Sequence, residues 1–458
     1  MYQLIIRNGT VTDPGCGVSK AADIAVEDGR IAGVGDYAGA PATQVIDAAG
    51  CIVTPGLIDH HAHLYPLAGI GIPAEAVCFR SGVTTAVDAG STGCRNFEQY
   101  VPLMRGAKLR MRAYLNVCST GLASLPAHLE DVDSAHFEEG EIRRVMDSYG
   151  DLLLGLKLRT SSEIVGRMGY EPLRQTAAMA RRAGTTVMVH CTNPPGTIPE
   201  LLDCLQAGDV MTHMYMNKGN TLLDEEGKVC RQAHEARGRG VLFEAADARA
   251  HFSFEVSQAA IGEGFLPDLI ATDLTRLSMN LRPTAFSLDN QIAKYTQLGI
   301  PFETVLKACT AAPARYMGME GEIGCLTPGA CADIAVFRRE ESTIPFGDRP
   351  YGDPAGREYP CQWRLRTMLT VCGGASQSKY AADNGMPAQT PEEICYDTEA
   401  AGAFNSPSSD VKADAGGEAP SLPQNRKWVV TVYLNAETED LEVLLTQLDQ
   451  QIQQMQGY

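Results

Sequence analysis

The chain has 458 residues, of which 44% are hydrophobic and 21% charged, a composition typical of a globular protein rather than a disordered or fibrous one. No apolar run approaches the roughly 18 residues that a membrane-spanning helix needs, and residues 1–7 lack the pattern of a signal peptide. The net charge of −18, from 38 basic and 56 acidic side chains, argues against nucleic acid or an anionic membrane as a partner.

Fourteen cysteines are spread through apolar segments, and the sequence contains no Cys-x-x-Cys pair. In a long chain without a signal peptide, this pattern predicts reduced thiols and a cytoplasmic location. The acidic charge is concentrated near the C-terminus, because residues 382–458 carry 13 acidic and only 3 basic side chains. The rest of the chain is therefore only mildly acidic.

The first 53 residues are predicted to form short strands separated by turns. Asn8-Gly9 and Asp28-Gly29 are typical hairpin turn pairs. So small a sheet buries little apolar surface on its own, and residues 320–381, with a clear strand pattern at 332–337, are the expected partner. We therefore expect one small β-sandwich domain composed of residues 1–53 and 320–381, which flank the central domain.

Between these flanks, residues 54–319 alternate strand and helix patterns, with helices predicted for example at 171–182, 198–206, 254–263 and 304–309. The strands are predicted at 51–59, 83–90, 110–117, 152–159, 185–191, 210–215, 240–246 and 269–274. Eight successive βα units predict an α/β fold. They favour a closed (β/α)8 barrel of the TIM type over an open sheet. The absence of Gly-x-Gly-x-x-Gly after the first strand also disfavours a dinucleotide-binding fold.

The C-terminal extension has two parts. Residues 382–425 are rich in small, polar and acidic residues and predict a flexible linker. Residues 426–458 predict a small tail of one strand and one amphipathic helix, whose apolar side chains follow 4-3-4-3 spacing. They are Leu441, Leu445, Leu448, Ile452 and Met455. We favour a helix that packs on its own chain over one that binds a partner.

One segment of the central domain, Pro-Gly-Leu-Ile-Asp-His-His-Ala-His at residues 55–63, carries an unusual pair of side chains. Residues two apart on an extended strand point to the same face, so His61 and His63 direct two imidazoles toward one place. Taken alone, this spacing is equally typical of histidines at a surface or in a loop.

Other reactive side chains occur where the predicted barrel strands end, which is where barrel enzymes carry their chemistry. The full set is His61, His63, Lys157, His190, His213 and Asp273. A single histidine in such a place is usually a hydrogen-bonded core residue. A lysine in a leucine-rich strand is costly to bury unless it gains a carboxylate partner or is chemically changed. Together, the six side chains indicate one functional site.

The order His-x-His, Lys, His, His, Asp resembles the amidohydrolase superfamily of metal-dependent hydrolases. Residues 80–90, 155–162, 188–195 and 268–273 are similar to its amidohydrolase/deacetylase branch, often labelled dihydroorotase-like. The resemblance extends over residues 1–338 and excludes the C-terminal extension.

This resemblance implies a site with two divalent metal ions, zinc by default. His61 and His63 would hold the first ion, and His190 and His213 the second. Lys157 would react with carbon dioxide to form a bridging carbamate. Asp273 would bind the first ion and act as the catalytic proton acceptor.

The implied reaction is attack of a metal-bridging hydroxide on a small-molecule substrate. We expect removal of a small acyl group, foremost acetyl, from a small carboxylate-bearing amide or ester. A cyclic amidohydrolase is the alternative, but Leu64-Tyr65-Pro66 replaces the arginine typical of dihydroorotases, and residues 159–162 lack the tyrosine typical of hydantoinases. A non-catalytic barrel protein is a remote alternative, because all six ligand positions are filled.

Further side chains are predicted to line the substrate pocket. Arg159 is either a clamp for the substrate carboxylate or a structural arginine paired with a carboxylate of the barrel. The loop around residues 243–255 departs from the Gly-His-Gly type expected in this branch. The other candidates are Asn193, Tyr215, Asn217, His251 and Arg276. A homo-oligomer is compatible with the sequence.

Overall fold

A computed structural model describes residues 1–379, except residues 124, 126–128, 281, 282 and 351. The predicted linker at 382–425 and tail at 426–458 lie outside the described residues.

The β-strands follow one another along the chain as β1 (Tyr2–Asp13), β2 (Val18–Glu27), β3 (Arg30–Gly35), β4 (Ala42–Asp47), β5 (Ile52–Pro55), β6 (Leu57–Ala62), β7 (Val83–Gly93), β8 (Arg110–Asn116), β9 (Leu153–Arg159), β10 (Thr186–His190), β11 (Val210–Thr212), β12 (Leu242–Ala246), β13 (Leu269–Ala271), β14 (Ile334–Glu341), β15 (Phe346–Gly347), β16 (Glu358–Tyr359), β17 (Trp363–Cys372) and β18 (Ala375–Lys379).

The α-helices are α1 (Ala74–Arg80), α2 (Phe97–Gly106), α3 (Glu139–Ser148), α4 (Ser162–Val165), α5 (Glu171–Arg182), α6 (Ile198–Leu202), α7 (Arg231–Gly238), α8 (Phe254–Gly262), α9 (Leu288–Gln297), α10 (Phe302–Ala308) and α11 (Ala311–Tyr316). Short 3₁₀ helices lie at Ser134–His136, Gly166–Met168 and Ser278–Asn280. Among the described residues, every helix falls short of the length and apolar character needed to cross a membrane.

The central domain is a barrel of eight parallel strands, in which β6 to β13 pair in sequence order. The first strand, β6, and the last strand, β13, are joined at their C-terminal ends. There the Asp273 amide donates to the His61 carbonyl at 2.6 Å, and the His63 amide donates to the Leu274 carbonyl at 2.9 Å. The predicted TIM-type barrel is confirmed. Because these closing bonds involve the His-x-His segment and Asp273, closure of the barrel itself brings the first and last strands of the site together.

Helix α5 illustrates how the barrel is covered. Pro172 lies in its first turn, where a missing amide hydrogen costs little. Arg181 and Arg182 lie in its last turn, where their positive charges interact favourably with the negative end of the helix dipole. Its buried face includes Leu173, Thr176, Ala177 and Ala180, which recur at helical spacing. The helix therefore covers the barrel with one apolar face, and its bounds agree with the predicted 171–182.

The second sheet contains strands from both flanks of the barrel, as predicted. Its order is β18-β17-β14-β5-β1-β2-β3, and β4 pairs with β1. Strand β14 joins the halves because it runs antiparallel both to β5 and to β17. Aliphatic side chains from both flanks, such as Ile6, Val26, Val53 and Ile334, share its core.

Two local predictions were wrong. The predicted strand 51–59 is divided at Gly56, because β5 pairs with β14 in the flanking sheet while β6 pairs with β7 in the barrel. Asn8-Gly9 does not form a hairpin turn. It lies inside β1 at a shift of register between β1 and β2, with Asn8 at a φ of 63°. Long-range pairing overrides the local turn preference there, whereas Asp28-Gly29 does join the antiparallel strands β2 and β3.

Candidate active site

The structure brings the six predicted side chains to one end of the barrel. They are His61 in β6, His63 just beyond it, Lys157 in β9, His190 in β10, His213 after β11 and Asp273 after β13. None of the six exposes more than 6% of its surface. His213 and Asp273 have φ angles of 63° and 53°, a backbone region that residues other than glycine adopt rarely. Such strain is typical of functional sites, where the surrounding structure holds the residue in place.

The first group of potential metal ligands consists of His61, His63 and Asp273, whose donor atoms all lie within 4.8 Å of one another. The Nε2 atoms of His61 and His63 lie 3.4 Å and 3.2 Å from Asp273 Oδ1. Burial, together with the positive charge of Lys157, lowers the pKa of His61. A neutral imidazole offers a lone pair, so this group has the donor atoms of a divalent metal site.

The second group consists of His190, His213 and His251, again with donor atoms within 4.8 Å of one another. Burial and the neighbouring imidazoles hold the pKa values of His190 and His213 well below their ordinary range. Burial likewise lowers the pKa of His251 to about 4, although the Asp273 carboxylate opposes the shift. These three rings are therefore neutral near pH 7 and able to bind a metal ion.

Asp273 lies between the two groups. Its Oδ1 atom faces His61 and His63, while its Oδ2 atom lies 3.8 Å from His213 Nε2 and 3.7 Å from His251 Nε2. Burial opposes ionisation of this carboxyl group, but the electrostatic interaction with His61 and the hydrogen bond from His63 outweigh it and hold the pKa of Asp273 well below its ordinary value. A single carboxylate thus connects both groups.

Lys157 is a buried lysine whose Nζ atom lies 3.4 Å from His61 Nε2. Burial lowers the pKa of Lys157 to about 8, although the negative charges of Asp273 and Glu244 oppose the shift. Gly90 packs against its stem, since a Cβ atom at Gly90 would come within 2.6 Å of both Cβ and Cγ of Lys157. Gly90 also has a φ of +84°, so glycine is required there on both grounds.

His61, His63 and His213 each have a hydrogen-bond partner on Nδ1, the ring nitrogen that faces away from the two groups. His61 Nδ1 lies 2.8 Å from Glu244 Oε2, and His63 Nδ1 lies 3.0 Å from Ser91 Oγ. His213 Nδ1 donates to the carbonyl oxygen of Ala246 at 2.6 Å. Partners of this kind fix the orientation of each ring and leave Nε2 free to bind a metal, as is usual at metal centres.

Glu244, in the middle of β12, is a residue of the candidate site that the sequence interpretation missed. Its carboxylate is fully buried and also lies 2.6 Å from Nδ1 of His60, the histidine between Asp59 and His61. Burial alone would raise the pKa of Glu244, but electrostatic interactions and hydrogen bonds with His61 and His60 lower it well below its ordinary value. A glutamate inside the apolar strand 240–246 was the available signal, because a buried carboxylate requires partners.

Only one of the six predicted substrate-binding residues, His251, lies in a group of potential metal ligands. It belongs to the second group, with His190 and His213. Arg159 pairs with the buried carboxylate of Glu130 at 3.0 Å, which is the structural pairing considered for it. The amide of Asn193 donates to Glu163 at 2.7 Å.

The remaining three candidates are engaged elsewhere. Tyr215 is buried, and its hydroxyl donates to the carbonyl oxygen of Phe265 at 3.3 Å. Asn217 is exposed and accepts a hydrogen bond of 2.6 Å from Arg349. Arg276 donates to the carbonyl oxygen of Gly71 at 3.2 Å. Substrate contact by these side chains stays a prediction.

The donor set fits divalent metal ions. His213 Nε2 is buried and has no hydrogen-bond partner among the described residues, although it points toward Asp273 and the neighbouring imidazoles. An unsatisfied buried nitrogen is costly unless a ligand such as a metal ion completes its environment. Five imidazoles and one carboxylate in two adjoining groups are the ligand types that zinc and related divalent metals prefer.

The candidate metal ligands lie at the C-terminal ends of the barrel strands, the position that catalytic groups occupy in barrel enzymes. A sequence model of the amidohydrolase family matches residues 52–356. A deacetylase of Agrobacterium fabrum is 35% identical over 357 residues, which is 75% of this chain and 85% of that relative.

Solved structures show the same relationship. The crystal structure of a dihydroorotase superposes with a TM-score of 0.75 and 30% identity, over 83% of this chain and 98% of that one. The crystal structure of an adenine deaminase superposes with a TM-score of 0.74 and 25% identity, over 82% and 99% of the two chains. The chain belongs to the amidohydrolase family, and it is a hydrolytic enzyme acting on C–N bonds. The predicted superfamily and branch are thereby confirmed.

Proposed function

We propose that the chain is a binuclear metal-dependent deacylase that removes a small acyl group, acetyl foremost, from a small carboxylate-bearing amide or ester. The observation that carries the proposal is the position of Asp273. Its two carboxylate oxygens face two separate groups of imidazoles, and each group has the donor atoms of a metal site. The similarity to a deacetylase supports the choice of an acyl group as the part removed.

In this proposal, His61, His63 and Asp273 hold the first ion, and His190 and His213 contribute to the second. Zinc suits imidazole and carboxylate ligands that leave a position open for water or substrate. When bound, the two ions lower the pKa of a water molecule and polarise the scissile carbonyl group. Carboxylation of Lys157 is supported by its burial and by a pKa of about 8, since only the neutral amine reacts with carbon dioxide.

Asp273 moves the proton. Its lowered pKa keeps it ionised near neutral pH, so it accepts the proton of the attacking water as the new C–O bond forms. It then donates that proton to the nitrogen or oxygen of the leaving group as the old bond to the acyl carbon breaks.

A substrate carboxylate needs a cationic partner in the site. Arg159 remains the candidate, but its guanidinium is already paired with Glu130. A substrate carboxylate would therefore have to share this arginine with Glu130, which accepts from Arg159 Nη1 with both oxygens. Glu130→Gln should then strengthen binding of an anionic substrate.

A cyclic amidohydrolase is the second candidate, because the fold is similar to that of a dihydroorotase. The segment after the His-x-His pair disfavours a cyclic amidohydrolase. The Leu64 and Tyr65 side chains are buried, and their amides donate to Asp88 Oδ2 at 2.7 Å and 3.2 Å. Neither side chain offers a cation for the carboxylate of a cyclic substrate.

The proposal is tested first by metal content and substrate range. Protein supplemented with zinc and dialysed should retain about two metal ions per chain, and metal-free protein would refute the proposal. A screen should include N-acetyl-D- and N-acetyl-L-amino acids, acetyl esters, dihydroorotate and hydantoins. Turnover of acetylated compounds supports the deacylase, and turnover of the cyclic amides alone supports the second candidate.

The role of Asp273 is tested by Asp273→Asn, which preserves shape but removes the proton acceptor. We expect the variant to keep its metal ions and to lose about 10²–10⁴-fold in kcat, the usual contribution of general acid–base catalysis. Asp151→Asn is the matched control, because Asp151 is exposed and pairs with Arg105 away from the site. Near-wild-type turnover of Asp273→Asn would contradict the assignment.

A further inference from the structure

His251 lies in the loop after β12, and the sequence interpretation placed it among the substrate contacts. In the structure it adjoins two predicted ligands of the second metal ion. Its ring centroid lies 4.4 Å from that of His213 and 5.0 Å from that of His190. The donor atoms of these three histidines lie within 4.8 Å of one another, so His251 is placed as closely as a third ligand requires.

The hydrogen bonds of His251 leave one ring nitrogen available. Its Nδ1 atom lies 2.9 Å from Oγ1 of Thr192, a buried side chain just beyond His190. Its Nε2 atom lies 3.7 Å from Asp273 Oδ2. His213 has the same arrangement, with Nδ1 bonded to a carbonyl oxygen and Nε2 lying 3.8 Å from the same carboxylate oxygen. The two rings are thus presented to the site in equivalent ways.

The loop that carries His251 is held firmly. The His251 amide donates to the carbonyl oxygen of Asp247 at 2.9 Å. The Asp247 carboxylate is buried and accepts hydrogen bonds from Gln291 at 2.5 Å, from Tyr295 at 2.8 Å and from Lys294. Because helix α9 supplies all three donors, the start of the loop is fixed to the barrel wall. A ligand held by such supports needs little rearrangement when a metal ion binds.

The loop is also fixed on its far side. Arg349, from the chain segment that follows β15, donates to the carbonyl oxygen of Phe252 at 2.8 Å. The residue next to His251 is therefore hydrogen-bonded to a segment outside the barrel. Bonds on both sides restrict the imidazole to the neighbourhood of the second group.

We propose that His251 is the third histidine ligand of the second metal ion, which is then bound by the imidazoles of His190, His213 and His251. The inference rests on the metal centre of the proposed function and adds a ligand to it. Three imidazoles and one open position form a complete catalytic zinc site. This ion would therefore be retained without a carbamate on Lys157, and His251 would serve metal binding rather than substrate binding.

The test is a metal titration without substrate, which separates the two roles of His251. Metal-free wild-type protein, His251→Ala and His251→Gln are titrated with zinc, and metal content is measured after dialysis. Loss of even a hydrogen-bond partner of a ligand costs 10–100-fold in affinity, so loss of the ligand should weaken the second site by about 100-fold or more. Thr192→Val, which removes the partner of Nδ1, should weaken it by about 10-fold.

His136→Ala is the matched control, because His136 is an exposed histidine paired with Asp131. It should bind both ions like wild type. Cobalt-substituted protein gives a second readout, since loss of one imidazole ligand changes the visible absorption of the ion. Circular dichroism and thermal melting identify the variants that fold.

The outcomes separate this inference from the proposed function. A weaker second site in a folded His251 variant, or in Thr192→Val, supports the third ligand. Two ions bound with unchanged affinity in every folded variant would overturn it and would leave the proposed function intact. Wild-type protein that binds no zinc would overturn the proposed function itself.

Discussion

Replacement of Glu244 by glutamine tests whether the buried carboxylate prepares His61 for metal binding. An ionised carboxylate only accepts hydrogen bonds, so the Nδ1 atoms of both His60 and His61 carry hydrogens in the native protein. A glutamine of the same shape has one accepting oxygen and one donating nitrogen. It can satisfy only one of the two Nδ1–H groups, and it removes the negative charge that makes His61 a stronger ligand.

The expected magnitude follows from these contacts. A hydrogen bond to a charged group contributes about 1.5–3 kcal/mol, and the contacts of 2.6 Å and 2.8 Å at Glu244 are fully buried, so solvent does not screen them. Loss of one and weakening of the other should lower the free energy of unfolding by about 2–3 kcal/mol. Loss of a hydrogen-bond partner behind a ligand should also weaken binding of the first metal ion by about 10–100-fold.

Zinc titration of metal-free protein and urea denaturation measure the two effects. Ser91→Ala, which removes the neutral partner of His63, should show a smaller loss of affinity than Glu244→Gln, because no charge is lost. Glu139→Gln is the matched control, since Glu139 is exposed on α3 and pairs with Arg182. Unchanged zinc affinity and stability in Glu244→Gln would refute the reasoning.

Three other predictions concern the buried lysines. Because the pKa of Lys157 is about 8, its neutral fraction should rise from roughly a tenth at pH 7 to roughly nine tenths at pH 9. A ¹³C NMR carbamate signal at constant dissolved ¹³CO₂ should grow over that range and be absent from Lys157→Met; a signal that falls with pH would contradict carboxylation. Lys294→Met leaves the Asp247 carboxylate buried without its cation and should cost about 3–5 kcal/mol in urea denaturation; a loss below about 1 kcal/mol would show that the pair is dispensable. Gly90→Ala forces a Cβ atom against the stem of Lys157 at a φ of +84° and should cost about 1–3 kcal/mol and reduce the carbamate signal, whereas wild-type stability and signal would contradict that close packing.

The sequence by itself determined the barrel and six side chains of the site, because both depend on local pattern. Apolar strands alternate with helices, and parallel strands in such an order place their C-terminal ends together. His61 and His63 share a face through the spacing of two, and Lys157 is conspicuous within an apolar strand. These features are visible without knowledge of the distances between strands.

Only the tertiary structure decided which other side chains meet these six. Glu244 is 183 residues from His61 in sequence, and no local pattern connects them. His251 lies in a loop whose path depends on the buried bonds of Asp247 with α9 and on Arg349 from beyond the barrel. The misread turn at Asn8-Gly9 has the same origin. Local preference specifies what a segment can form, but pairing between distant segments selects what it does form, because burial and hydrogen bonding across the fold outweigh about 1 kcal/mol of local propensity.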